Sequence, residues 1–426
     1  MKRIQIIFFF TILILCPVTC IAQWVALNSG TSMNLNSIQF INSQTGFVAG
    51  NGATFRKTTD GGNTWEALDP FAAIQLNSIY FFNSTTGLIC GNGGLIAKTT
   101  DGGYNFITIN TGTSNSLYGL SFYNSQIGAC AGNSGTILYS TNGGDNWSVA
   151  SPTGYLVTFY SSCMVDALTG YSVGVNTIFS PLVAKTTNGG SNWTYSSFMV
   201  NNNEATLYDI HLFDSQNGIA VSNLWNGTGG ISITTNGGVN WTSQIYTYGL
   251  FGIDFPTQSI GYSVGLSGYI LKSTDAGISW IQQTGGTASN LRAVDFTDSF
   301  YGFAVGSSGT ILKTTNGGLS ALHHVSSSIP GTFYLYQNYP NPFNPATKIK
   351  FDIPFLPSGI REAEGVMVRL VICNILGSEI AKLVNEPLIP GSYEIEWDAS
   401  RFPSGIYFYK LNTESFSETK RMVLLK

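Results

Sequence analysis

The chain has 426 residues, and its 19 Lys+Arg and 23 Asp+Glu amount to 10% of it, against about 25% in an ordinary soluble protein. Glycine fills 49 positions, well above the usual share of about 7%. A net charge of −4 on so few ionic groups argues against a nucleic-acid partner and describes a turn-rich, β-prone chain whose surface is hydrated by hydroxyls and amides.

The first element is an expected export signal over residues 1–22. Lys2 and Arg3 give a positive start, Ile6 to Leu15 an apolar run, and Cys20-Ile21-Ala22 a small-residue cleavage site. Ten or so apolar residues are too few for a bilayer core, which needs roughly 20 in a helix, and no later stretch is long or apolar enough either. No membrane span is expected once the signal is removed. Four cysteines then remain, Cys90, Cys130, Cys163 and Cys373, too irregularly spaced for a disulfide framework, so they read as small core residues. Cys90 and Cys130 stand one register apart in successive repeats, which points them to opposite strand faces and argues against a bridge.

From residue 24 a unit of about 41 residues recurs. Its marker is Thr/Ser, any residue, Asp/Asn, any residue, Gly, two residues, then an aromatic. The Asp/Asn positions are Asp60, Asp101, Asn142, Asn188, Asn236, Asp275 and Asn316, at intervals of 41, 41, 46, 48, 39 and 41. A second landmark precedes each marker, an apolar residue eleven positions before a glycine: Leu35 and Gly46, Leu76 and Gly87, Leu117 and Gly128, Phe159 and Gly170, Leu207 and Gly218, Leu250 and Gly261, Leu291 and Gly302. In the first unit the turn residues separate four short strands, Leu35 to Ile41, Gly46 to Gly50, Ala53 to Thr58 and Trp65 to Leu68. Four strands at this period predict a propeller blade, and one such sheet cannot bury both of its faces without neighbours. In the marker, an Asp or Asn side-chain oxygen accepts nearby backbone N–H groups, the glycines supply φ > 0, and the aromatic plugs the outer edge of the blade. The seventh marker has Ala321 where its aromatic should be, whereas Trp24 begins a segment, Trp24 to Ser32, that matches the outer strand Phe106 to Ser114 and has no marker before it. The N-terminal strand is therefore expected to complete the seventh blade and close the ring.

These seven repeats resemble the Asp-box, or bacterial neuraminidase, repeats, and the array over about residues 24–322 resembles the propellers of photosystem II assembly and stability factors and their secreted bacterial relatives. The resemblance implies fold more than activity, because the box is a structural turn shared by enzymes and non-enzymes.

Composition shifts after Ala321. Residues 23–325 hold seven basic and thirteen acidic side chains, and residues 326–426 hold ten of each. Residues 323–337 read as a linker, and 338–426 as a small antiparallel, immunoglobulin-like β-sandwich with strands at Lys348 to Ile353, Val366 to Ile375, Tyr393 to Trp397, Ile406 to Leu411 and Lys420 to Leu425. The long Phe355 to Gly365 segment is expected in a surface loop. This part resembles the type A C-terminal sorting domain of the type IX secretion system, on Tyr339, Pro340, Asn341, Pro342 and Phe343 within Tyr339 to Pro345, Gly377, Gly391, the Pro403 to Tyr407 motif with Gly405 and Tyr407, and the terminal Lys420 to Lys426 strand. The resemblance implies passage through the periplasm, recognition by the type IX machinery, and delivery to the medium or the outer cell surface. The expected fold is thus all-β, a seven-bladed propeller over residues 23–322 followed by a sandwich.

Ligands of propellers bind near the axis, so equivalent positions of the seven innermost strands form rings. The second position holds Asn36, Asn77, Tyr118, Tyr160, Tyr208, Phe251 and Arg292; the third, Ser37, Ser78, Gly119, Ser161, Asp209, Gly252 and Ala293; the fifth, Gln39, Tyr80, Ser121, Cys163, His211, Asp254 and Asp295. Tyr118, Tyr160, Tyr208, Phe251 and Arg292 are the candidate wall for a glycan or a peptide, the plainer reading being packing between blades. Asp254 and Asp295, with His211 in the same ring, are an alternative catalytic pair for a glycoside hydrolase or, less aptly, metal ligands. Sialidase chemistry is excluded, because residues 23–325 hold only two arginines, Arg56 and Arg292, where sialidases of this repeat family grip a carboxylate with three. No metal or cofactor is expected, and the leading expectation is an exported, non-catalytic binding protein.

Overall fold

Short alternating strands broken by Gly-rich turns can satisfy their backbones only by pairing with their immediate neighbours, and the chain does this throughout. A computed structural model describes residues 24–150, 157–315, 317, 323–326, 329–355, 365–399 and 402–426. The signal at 1–22, the seventh marker around Asn316 with Ala321, and nearly all of the Phe355 to Gly365 loop lie outside the described residues.

Seven four-stranded antiparallel sheets follow one another between Val25 and Thr314. Their innermost strands are Leu35–Phe40, Leu76–Phe81, Leu117–Phe122, Thr158–Met164, Ala205–Leu212, Leu250–Asp254 and Leu291–Phe296, which define blades 1 to 7. Each packs against the next and blade 7 packs against blade 1, so the ring is closed. The outermost strand of blade 7 is Val25–Leu27, antiparallel to Ile311–Thr314 with Val25 opposite Lys313 and Leu27 opposite Ile311. Trp24 is 1% exposed in the apolar cluster between blades 6 and 7, edge-on to Tyr262 and Phe296, and its Nε1 donates to Gln283 Oε1 at 3.0 Å.

The apolar residues gather in one cluster per blade interface. In blades 1, 2 and 7 the aromatic at the sixth position of the first strand stacks on an aromatic of the preceding blade, as Phe81 does on Phe47 at 3.6 Å and Phe296 on Tyr262 at 3.7 Å. The same ring explains the landmark glycine, since a Cβ at Gly87 or Gly302 would overlap Phe81 or Phe296. Opposite faces of successive strands also meet across an interface. Cys90 looks from blade 2 toward blade 3 and Cys130 looks back, and both thiols are fully buried in one cluster with Leu117, Phe122 and Trp147. The opposite facing that the sequence indicated is what brings the two together, and both remain free thiols here.

Each described marker forms the same closed turn. Thr58 Oγ1 donates to Asp60 Oδ1 at 2.8 Å and accepts Gly62 N–H at 2.9 Å, while Asp60 Oδ1 accepts Thr64 N–H at 2.9 Å. Burial is slight there, and the Thr64 hydroxyl, donating to Asp60 Oδ2 at 2.6 Å, together with the Thr64 N–H and the Thr58 hydroxyl holds the Asp60 carboxyl down at about 2.

The remaining chain forms two further four-stranded sheets facing each other over one core, with Ile349, Phe351 and Ile395 on one side and Val368, Leu370 and Tyr409 on the other. The segment expected as a linker contributes to this sandwich. Tyr334–Leu335 pairs with Ala346–Ile353, and His323–Ser326 pairs with Gly391–Asp398. Strands of two to four residues carry too little alternation to register as strands in the sequence. Glu379–Leu388, a strand the sequence pattern does not show, forms an edge of the second sheet. Phe343 is the peg between the proline-rich lead-in and the terminal strand. Its side chain is 2% exposed beside Trp397, its N–H donates to Val423 O, and its C=O accepts Leu425 N–H. Asn341 Oδ1 accepts Val423 N–H, the Tyr407 hydroxyl donates to Pro403 O, Gly405 pairs with Leu424, and Lys426 N–H donates to Ser404 Oγ. Tyr339 and its neighbour Pro340 stand at the surface, Tyr339 the most exposed aromatic of the domain, and Pro342 is exposed beside them.

Candidate functional site

One irregularity repeats in all seven blades. The register between first and second strands slips at the second position, so that Asn36, Asn77, Tyr118, Tyr160, Tyr208, Phe251 and Arg292 each stand as the extra residue of a β-bulge. A bulged residue is unpaired in the ladder and its side chain is re-aimed, here toward the axis. Glycine makes the bulge possible in six blades, because the carbonyl of the residue preceding each landmark residue comes so close to the second strand that a Cβ at Gly50, Gly91, Gly132, Gly174, Gly265 or Gly306 would overlap it.

All seven bulged residues line one cavity of about 370 Å³ at the axial mouth, joined by Gln75 and Asn290. These last two immediately precede first strands, and the repeat alignment carries the signal for them one position ahead of the landmark residue. The mouth is two-sided. On blades 1 and 2 the amides are spent within the protein: Asn36 Nδ2 donates to Leu76 O at 2.8 Å and Asn77 Nδ2 to Leu117 O at 2.7 Å, each also bonding a turn asparagine. On blades 3 to 6 four half-buried rings run in an unbroken row, Tyr118 to Tyr160 at 5.5 Å, Tyr160 to Tyr208 at 4.9 Å and Tyr208 to Phe251 at 4.8 Å between centroids. Arg292 of blade 7 closes the circuit, exposed at the rim, with Nη1 donating to Asn36 Oδ1 at 2.9 Å. Burial raises the Tyr160 phenol to about 12, with Tyr208 and Tyr118 adding to it; burial raises Tyr208 too, opposed by the Arg292 guanidinium.

Asp254 and Asp295 lie elsewhere. Neither lines the mouth; both are part-buried and serve as rungs between blades, Asp254 Oδ2 accepting Phe296 N–H at 2.8 Å and Asp295 Oδ2 accepting Phe40 N–H at 2.7 Å across the seam of the ring. Gln39, Tyr80 and Ser121 of the same ring bond the neighbouring blade at corresponding places. Burial lifts Asp254 to about 7 and Asp295 well above the carboxylate range, and the proximity of Asp254 lifts Asp295 further. His211 is packed among Phe213 and Phe255, and burial depresses it to about 4. Sequence reasoning left Asp209 unremarked in a ring of small residues. Its carboxylate ties three blades, accepting from Ser161 Oγ at 2.7 Å and from Ile253 N–H at 3.1 Å, and burial raises it to about 6. Among the described residues no group of three or more His, Cys, Asp or Glu is disposed to hold a metal ion, and no helix is long and apolar enough to cross a membrane.

Comparison with known proteins fits this architecture. Residues 16–148 and 243–315 match the family model of the photosynthesis system II assembly factor YCF48, and residues 337–425 match that of the secretion system C-terminal sorting domain. No curated protein matches significantly. Among solved structures, YCF48 bound to D1 peptide is 21% identical with a TM-score of 0.57, covering 69% of this chain and 97% of its own. YCF48 from Cyanidioschyzon merolae is 18% identical with a TM-score of 0.54, covering 68% of this chain and 98% of its own. PorZ, a bacterial surface component of the type-IX secretion system of Porphyromonas gingivalis, is 13% identical with a TM-score of 0.56, over 91% of this chain and 59% of its own. At these identities the likenesses speak for the fold. The sorting domain marks the chain for type IX export, to the cell surface or the medium. The chain accordingly joins a propeller similar to YCF48 to a C-terminal segment that matches the secretion system C-terminal sorting domain.

Proposed function

We propose that this exported protein is a non-catalytic binding propeller that holds its ligand at the axial mouth. The observation that carries the reading is the convergence of seven bulged side chains on one cavity, four of them aromatic and in a continuous row. Packing alone would be served as well by residues buried between blades, whereas these rings keep part of their faces in solvent at a concave site. The solved neighbours are an assembly factor with a bound peptide and a surface component of a secretion system, which favours binding over turnover. Against the hydrolase reading stand the absence of Asp254 and Asp295 from the lining of the mouth and the engagement of an oxygen of each by a backbone N–H of the next blade.

The test uses the mature chain on a panel of oligosaccharides and short peptides. A bound class is expected, with Tyr160→Ala and Tyr208→Ala each weakening it at least about tenfold, the scale of losing one stacked ring in a desolvated site. Asp254→Asn should bind like the parent. Release of reducing ends from a polysaccharide by the parent, lost in both Asp254→Asn and Asp295→Asn, would overturn the proposal in favour of the hydrolase.

A further inference from the structure

The mouth is chemically lopsided. Its nine lining residues include no carboxylate and one cation, Arg292, on a propeller where acids outnumber bases thirteen to seven. The other six bases are engaged elsewhere. Arg56 pairs with Asp69 and Lys98 with Asp145; Lys185 and Lys313 bond the carbonyls of Gly237 and Gly61; Lys57 lies over Tyr104 and Lys272 over Tyr262. Arg292 takes part in no ion pair among the described residues, and its one side-chain hydrogen bond, to the neutral Asn36, leaves most of its donor fork unused.

Resting on the reading of the mouth as a ligand site, we infer that its ligand is an acidic sugar, a hexuronate residue of a polysaccharide whose carboxylate is gripped by Arg292 while its ring lies on the Tyr160–Tyr208 faces. The pieces match one to one. A planar guanidinium takes a carboxylate bidentately, as a lysine could not. The apolar C–H face of a pyranose needs a flat, half-exposed ring, and tyrosine adds a hydroxyl at the rim for the sugar hydroxyls. A cavity of about 370 Å³ lies at the small end of ligand clefts, which suits one or two sugar units. A peptide would look for free amide partners for its backbone, and the amides of Asn36 and Asn77 are already used within the protein.

The test is calorimetric titration of the mature full chain with three trisaccharides, of galacturonate, mannuronate and glucuronate, against their carboxyl-reduced counterparts and a glutamate-rich hexapeptide. At least one uronate should bind ten times or more tighter than its reduced form. Arg292→Gln, its unchanged melting confirming the fold, should erase that ratio while leaving the reduced sugar unaffected, and Arg292→Lys should restore only part of it. Tyr160→Ala and Tyr208→Ala should weaken acidic and reduced sugars together. Equal affinity for the acidic and reduced forms, or an equal loss of both in Arg292→Gln, overturns the inference. So does binding of the hexapeptide alone with the same tyrosine dependence, an outcome that would leave the mouth standing as a ligand site. If none of these probes binds, the acidic-sugar assignment falls, and the broader panel decides the fate of the binding site separately.

Discussion

Asp254 carries two duties that pull against each other. Its carboxyl fastens blade 6 to blade 7 through Phe296 N–H, yet burial penalises its charged form and lifts it from the ordinary 3.8 to about 7. A carboxyl raised in the folded state costs nothing while it is protonated in both states, below about pH 4; the cost grows as pH rises toward 7 and is then complete. Asparagine keeps an oxygen for Phe296 N–H and has no charge to bury. Asp254→Asn should therefore melt with the parent near pH 4 and several degrees above it at pH 8, in thermal scans across that range. Equal melting at both ends would mean that the carboxylate is solvated in the folded protein. His211 works in the opposite direction, since its depression from 6.5 to about 4 removes stability as pH falls through that window. The ring of fifth positions was legible in the repeat alignment, but the role of its members was not. Period-two alternation tells which residues share a face, and only the closed ring tells which backbone each one meets.

At the scale of the strand, the bulge is the device that turns a repeat into a site. It depends on a residue with no side chain: Gly174 lets Thr158 O approach the end of the second strand, and Tyr160 is thrown out of the ladder two residues further along. Gly174→Ala should cost more than about 2 kcal/mol and lower the melting temperature by several degrees, because the Cβ meets backbone rather than a yielding side chain. It should also weaken ligand binding through Tyr160 in whatever protein remains folded. Melting like the parent would show that the bulge is not set by that close approach. The second position of the repeat could be read as facing the axis from spacing alone. The slip that exposes it could not, since no residue type in the first strand encodes a bulge. The Asp boxes show the reverse case, a local turn whose partners all lie within four residues, as in Thr58 with Gly62 and Asp60 with Thr64, so that the sequence motif already specified its bonds.

For the whole molecule the decisive pairing is Val25–Leu27 on Ile311–Thr314, which gives the seventh blade its fourth strand from the N-terminal side of the described chain. Trp24 then fills the interface between blades 6 and 7 that its own blade could not fill from the C-terminal side. Trp24→Ala should destabilise the propeller by about 3–5 kcal/mol, the range for truncating a buried tryptophan, and thermal or urea melts of the mature chain would register it as one cooperative shift. A transition unchanged in midpoint would mean that the ring holds without its closing strand. The sandwich uses the same logic on a smaller scale, with Phe343 tying the lead-in to the terminal strand through both its backbone groups and its ring.

What the amino-acid order determined unaided was everything that repeats or is local: the period, the landmark glycines, the box turns, the rings of equivalent positions and the resemblance of the tail. These signals survive in one dimension because each is made by residues a few positions apart or is restated seven times. The fold in three dimensions decided which rings open to solvent and which are consumed as rungs. It set Arg292 beside Asn36 some 256 positions away, and it turned the opposite-facing Cys90 and Cys130 toward each other. Such outcomes belong to contacts between blades, whose partners are fixed by closure of the ring and by burial.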